Sequence, residues 1–319
     1  MNNSYTKQVE LLLRILPIIA KEKSFALHGG TAINLFYFDF PRISVDIDLT
    51  YIPIETREKD LENIRNILLD LKNKIFKAIP NIKVYQNNSD VGEYKLICSN
   101  NNNVAVKIEV NTINRGALKE VEKLEIKESI QEQYNCFCIM NVVPKAQLWG
   151  GKILAALDRQ HPRDLFDIMN FLKHNEIDRD IIDGFIFCLL SSKRPLDEIL
   201  SPSLLEQEQV MESQFNGMTN IEFTYKMFES TRKELIEQII KALTKEHKEF
   251  IVKFAEGEPN WSVWNYENYP GIVWKLQNIK KLILENKPKH EIQLNKLKQT
   301  LAFIKKKQPT DLLGIKFLE

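Results

Sequence analysis

Apolar positions in the first eighty residues change period several times, and each change predicts an element. From Gln8 to Glu22 they follow helical spacing and predict an opening helix, which Pro17 bends or ends early. Phe25-Ala26-Leu27 is a short apolar run that stops at Gly29-Gly30, as a buried strand does on entering a tight turn. Thr31 to Phe38 reads as a short apolar helix. Val45-Asp46-Ile47-Asp48-Leu49 alternates with period two, so Asp46 and Asp48 share one face of a strand and the apolar residues share the other. Glu55 to Ala78 places Leu61, Ile64, Ile67, Leu68, Leu71 and Ile75 on one stripe of a long amphipathic helix, closed by Pro80.

From Ile82 the pattern alternates. Lys83–Gln86, Glu93–Cys98 and Val104–Val110 read as strands, with Asn100–Asn103 as the turn between the last two, and Gln133–Val143 is a further strand. Pro144 stands at a helix-start position ahead of Lys145–Arg159. Beyond His174 no strand signal survives. Asp180–Leu190, Ser203–Ser213, Thr224–Ala255, Gly271–Asn286 and His290–Lys307 read as helices, and Gly257–Trp261 as a loop. The expected fold is α+β: a mixed sheet with flanking helices over residues 1–174, an all-helical domain over 175–319, and a cleft between them.

Composition narrows this picture modestly. An apolar share of 44% supports a real core, and 319 residues fit two domains. A net charge of +1, from 44 basic and 43 acidic residues, does not announce a nucleic-acid binder. Cys98, Cys136, Cys138 and Cys188 lack metal-site spacing and read as packing residues. The first residues lack a signal-peptide layout, and Leu11–Ala20 is too short to span a bilayer, so a cytoplasmic protein with no membrane partner is expected.

The candidate chemistry lies where the pattern breaks. A glycine turn feeding a helix offers backbone N–H groups to phosphate. Asp46 and Asp48 repel each other unless one is protonated or a hard divalent cation, Mg²⁺ or Mn²⁺, joins them with substrate phosphates. Glu109 lies on a strand that can run beside them, either as a third ligand or as a solvent-facing charge. Lys145, Lys152 and Arg159 recur every seven residues on one helical face, as a solvated stripe or as donors to a triphosphate. Trp261, Trp264 and Trp274 read as core or interface packing, with base stacking as the alternative. His28 and His161 carry no zinc-ligand spacing.

Gly29-Gly30-Thr31-Ala32 followed by Arg42-x-Ser44-x-Asp46-Ile47-Asp48-Leu49 resembles the AbiEii/AbiGii toxin family, nucleotidyltransferases with a DNA polymerase β-like fold. The spacer between the glycines and Asp46 is longer than in the commonest members of the wider superfamily. A downstream K-x-x-A-x-x-x-R…R-D-x-x-D, here Lys152, Arg159, Arg163, Asp164 and Asp167, resembles the same family, as does the Gly257–Trp261 and Tyr269–Leu276 region. The resemblance implies metal on Asp46, Asp48 and Glu109, and an NTP on Gly29, Gly30, Thr31, Arg42, Ser44, Lys152, Arg159 and Arg163. Lys152 and Asp164 would then support catalysis; a structural ion network among the same charges is the alternative. It further implies a toxin of a toxin–antitoxin or abortive-infection pair, a cognate antitoxin, and tRNA as first acceptor. Protein AMPylation and a non-catalytic nucleotide sensor are the competing functions.

Overall fold

The structure is a computed structural model that describes residues 3–86, 94–101 and 104–302. Its chain begins with helix α1 (Asn3–Ile19), strand β1 (Phe25–His28), helix α2 (Gly29–Ala32) continued by a π-helical stretch Ile33–Tyr37, strand β2 (Asp46–Tyr51) and helix α3 (Arg57–Ala78). Strands β3 (Lys83–Gln86), β4 (Lys95–Ser99), β5 (Ala105–Asn111) and β6 (Glu122–Glu125) follow, then α4 (Glu128–Tyr134) and β7 (Ile139–Val142). Helices complete the described chain: α5 (Lys145–Asp158), α6 (Pro162–His174), α7 (Arg179–Leu189), α8 (Leu196–Leu200), α9 (Glu208–Gln214), α10 (Tyr225–Ala242), α11 (Lys245–Ala255), α12 (Pro270–Glu285) and α13 (Lys287–Ala302).

The strands form one mixed sheet in the order β3-β4-β5-β2-β1-β7-β6. β2 runs antiparallel to β1 and parallel to β5. Alternation decides the faces. Ile47, Leu49, Leu96, Cys98, Val106, Ile108 and Val110 are buried, and α1 and α3 pack on that side of the sheet. The polar positions between them look the other way. A seven-stranded mixed sheet with helices gathered after it is the expected architecture, and no strand follows Val142 among the described residues.

Three departures from the pattern have physical reasons. The expected strand over Gln133–Val143 is real only for Ile139–Val142. Its first part ends helix α4, where Asn135 takes the left-handed conformation (φ 45°) that closes a helix. Strand β6 gave no signal because it is an edge strand of charged residues around Leu124, a composition that protects sheet edges. The single helix expected over Thr224–Ala255 is two. Thr244 Oγ1 accepts from His247 N (3.3 Å) while His247 Nδ1 accepts from Thr244 N (3.1 Å), a capping box that starts α11 afresh. The basic tail Lys305–Lys307 lies outside the described residues.

Helices α5 and α7 cross at two glycines. A Cβ on Gly150 would lie 2.2 Å from the Gly184 carbonyl carbon, and one on Gly184 would lie 2.0 Å from the Ala146 oxygen. Backbone touches backbone there, so nothing can shift aside. At Gly151, one residue along, an added Cβ meets only Cys188 Sγ at 3.7 Å. Gly184→Val should therefore cost at least about 3 kcal/mol in denaturant unfolding, whereas Gly151→Ala should gain roughly 0.5–1 kcal/mol from reduced chain entropy. Equal effects from the two substitutions would contradict the crossing.

Candidate active site

Register assembles the polar face of the sheet into two rows. His28 pairs with Asp48, Asp48 with Glu109, and Glu109 with Lys95. One step along, Asp46 pairs with Lys107, Lys107 with Ile97, and Ile97 with Tyr85. Asp46 and Asp48 thus share a face, and Glu109 sits beside Asp48 on the neighbouring strand. Burial is the largest influence on Asp46 and lifts its carboxyl above the ordinary range; Asp48 adds to the lift, and Lys107 opposes it. Glu109 is differently held. Its oxygens bind Lys95 Nζ (2.8 Å) and Lys107 Nζ (2.9 Å). Burial works to raise this carboxyl, but the two ammonium groups outweigh it and keep Glu109 below its ordinary range.

The glycine corner is a close approach of side chains to bare backbone. Gly29 adopts φ +74°, and a Cβ on it would sit 2.7 Å from Asp48 Oδ2. A Cβ on Gly30 would meet Arg42 Nη2 at 2.7 Å and Ser44 Oγ at 2.9 Å. Thr31 Oγ1 donates to the Asp46 carbonyl and lies 3.0 Å from Ser44 Oγ. A threonine hydroxyl has one proton, so Ser44 must be the donor in the second contact. Thr31 and Ser44 therefore brace the turn against β2. The Ser44 proton is committed to Thr31 rather than directed at a ligand. His28 Nδ1 bonds Thr50 Oγ1 (3.0 Å), and burial lowers its imidazole below the ordinary value.

Behind the corner lies a buried ion network. Arg42 grips Asp167 in a fork, Nε to Oδ1 at 2.7 Å and Nη2 to Oδ2 at 2.6 Å. Lys152 Nζ bridges Asp164 Oδ1 (2.8 Å) and Asp167 Oδ2 (2.9 Å). Arg159 reaches Asp164 from the outside through Nε (2.6 Å) and Nη2 (3.0 Å). Asn34 Nδ2, from the π-helical stretch, donates to the Gly30 carbonyl (2.8 Å) and faces Asp167 (3.5 Å). Sequence reasoning passed over Asn34, because an amide inside an apolar run reads only as an interruption. Arg42 and Lys152 are almost fully buried, at 3% and 6% exposure, so both belong to the frame of the site and not to its open surface. The expected stripe of Lys145, Lys152 and Arg159 is split accordingly: Lys145 is exposed and Lys152 points inward.

Arg163 is the exception. It stands in the first turn of α6, half-buried, and its guanidinium makes no hydrogen bond or ion pair among the described residues. Burial lowers its affinity for a proton, and neighbouring Arg42 lowers it further. His161 caps the same helix, accepting from Arg163 N through Nδ1 (3.1 Å). Far from this face, Trp264 packs on His247 and Phe250, and Trp261 on Phe250 and Phe254, as core residues do. The thiols of Cys98, Cys138 and Cys188 are buried, which pushes each up to about 12.

This combination is a two-carboxylate face, a glycine corner and a K…R…R-D-x-x-D helix pair. The description "Nucleotidyl transferase AbiEii toxin, Type IV TA system" matches residues 10–279. The chain belongs to the AbiEii family. It is a nucleotidyltransferase of the toxin type, and membership implies a nucleoside triphosphate substrate and an antitoxin partner. MenT4, a nucleotidyltransferase toxin from Mycobacterium tuberculosis H37Rv, is similar in fold, with a TM-score of 0.59 and 14% identity over 78% of this chain and 88% of that one. A comparison with curated proteins finds no match. No helix among the described residues is long and apolar enough to cross a membrane.

The donor set of this AbiEii chain suits a hard divalent cation at Asp46 and Asp48, since two same-face carboxylates, one pushed toward protonation, make no direct ion pair among the described residues. Glu109 is turned to its two lysines. Among the described residues no three acid, histidine or cysteine side chains stand in metal-holding geometry.

The ion network carries a pH signature. For Asp164 and Asp167 burial pushes upward, but the neighbouring cations outweigh it and hold both carboxyls well below the ordinary 3.8. Depressed carboxyls contribute stability that is fully present above the unfolded pKa near 4 and is lost as pH falls toward the folded values. Urea unfolding followed from pH 7 down to about 2 should show stability dropping below about pH 4. Asp164→Asn should be less stable at pH 7 and show a shallower acid decline; an unchanged decline would remove these carboxylates from the account.

Proposed function

We propose that this AbiEii chain transfers a nucleoside monophosphate from an NTP to the 3′ hydroxyl of an RNA, with tRNA the first candidate. The observation that carries the reading is the shared face of Asp46 and Asp48, with Asp48 against the Gly29 corner and Asp46 within the field of Arg163, whose guanidinium is unpartnered among the described residues. The α2 N-terminus and Arg163 would bind the triphosphate, and Arg159 stands at the outer rim of the same cluster. Asp46 and Asp48 would hold Mg²⁺ or Mn²⁺, whose chemistry is to neutralise phosphate charge and lower the pKa of an acceptor hydroxyl. Glu109 is the third carboxylate available to such an ion once Lys95 and Lys107 release it.

The remaining work belongs to the chain itself. Lys152, fixed between Asp164 and Asp167, adds positive charge behind the site where pyrophosphate leaves. Arg42, locked to Asp167, keeps β2 and the glycine corner at constant separation from α6. Positioning and fixed charge suffice for in-line transfer, and no covalent protein intermediate is needed. The antitoxin is expected to act on this chain or its product.

The test is incubation with each α-labelled NTP, Mg²⁺ and total tRNA. Label should enter RNA, and Asp46→Ala or Asp48→Ala should reduce incorporation by about a hundredfold or more while leaving the melting curve cooperative. Label on protein would instead assign AMPylation. Wild-type incorporation by the Asp46→Ala protein would sink the metal assignment.

A further inference from the structure

The polar face of the sheet does not end at the acids. The row that starts at Asp46 continues through Lys107 and Ile97 to Tyr85 on the edge strand β3. Its far end is exposed: Tyr85 is 54% and Ile97 45% accessible, with no cover among the described residues, although large apolar side chains inside a sheet normally find one. Lys83 lies on the same face two residues before Tyr85 and is exposed, with only Ser99 and Ala105 beside it in its row. With Lys95 and Lys107 this part of the face carries, among the described residues, three ammonium groups against one carboxylate, Glu109. The charge balance therefore favours a polyanion. An exposed tyrosine in a basic field offers a stacking platform for an unpaired base, which a duplex cannot present. Three strand spacings of about 4.8 Å put Tyr85 roughly 14 Å from Asp46, within reach of a few extended nucleotides.

We infer that the face of β3, β4 and β5 is the track of the acceptor, a single-stranded RNA 3′ end, with a base stacked on Tyr85 and phosphates on Lys83 and Lys107. The inference rests on RNA being the acceptor and goes further, naming its path, its single-stranded form and the residue that holds it. A strand laid along this row arrives with its terminal hydroxyl at Asp46. Ile97 supplies the apolar floor between base and acids. The occupant contributes chiefly to acceptor binding, so the Tyr85 ring should govern KM for RNA and leave KM for NTP alone.

The experiment is fluorescence anisotropy of a labelled short single-stranded RNA on the full chain, without NTP. Tyr85→Ala should weaken binding about tenfold, Tyr85→Phe should retain it, and Lys83→Glu should weaken it and flatten the salt dependence by about one unit of slope. A blunt duplex of the same length should bind more weakly than the single strand. Thermal melts should be unchanged, since these side chains lie exposed. Binding by Tyr85→Ala within about twofold of the wild type overturns the track. If the wild type labels RNA and Tyr85→Ala keeps its KM for RNA, the track is wrong while RNA remains the acceptor. If label goes to protein and RNA is not bound, both readings fall together.

Discussion

The Arg42–Asp167 fork is the contact on which the site depends. Its partners come from opposite parts of the fold: Arg42 precedes β2, and Asp167 lies within α6. Both are buried, so neither charge can be left alone without a large desolvation penalty. Lys152 and Asp164 extend the pairing into α5, and Arg159 closes it at the surface. Buried ion pairs are a poor source of net stability, but they are intolerant of misplacement. Their effect here is to fix one spacing between the sheet's acids and the cations of α5 and α6.

The second constraint is register. Because side chains alternate, one residue of slip between β2 and β5 would exchange Glu109 for Ile108 beside Asp48. The apolar face, packed under α1 and α3, forbids that slip. The core thus determines which polar groups meet on the far side, although it touches none of them. The same alternation leaves Asp46 without a direct ion pair among the described residues while Glu109 holds two lysines. Neighbouring carboxylates on one face consequently sit in opposite electrostatic conditions.

Much of this was legible in the chain. The glycines, the D-x-D alternation and the heptad of cations stood out because short-range periodicity carries them. The strands Lys83–Gln86 and Ala105–Asn111 were readable for the same reason. Charged β6 was not, since an edge strand need not alternate, and α10 and α11 shared one apolar stripe that hid the break at Thr244. The roles of Arg42 and Lys152 were the hardest to read. Sequence placed both on the ligand, and the structure buries them against Asp167 and Asp164. Nothing local distinguishes a basic residue facing substrate from one facing an acid, whether that acid lies on the next helix, as for Lys152, or 125 positions away, as for Arg42. Asn34 was invisible on the same ground.

The fork also has a consequence for how the molecule comes into being. Its partners are separated by 125 positions, so a growing polypeptide must emerge well past Asp167 before the corner at Gly29 can be tied to α6. Prematurely terminated translation products that end before α6 retain every sheet acid and still lack the frame that orients them.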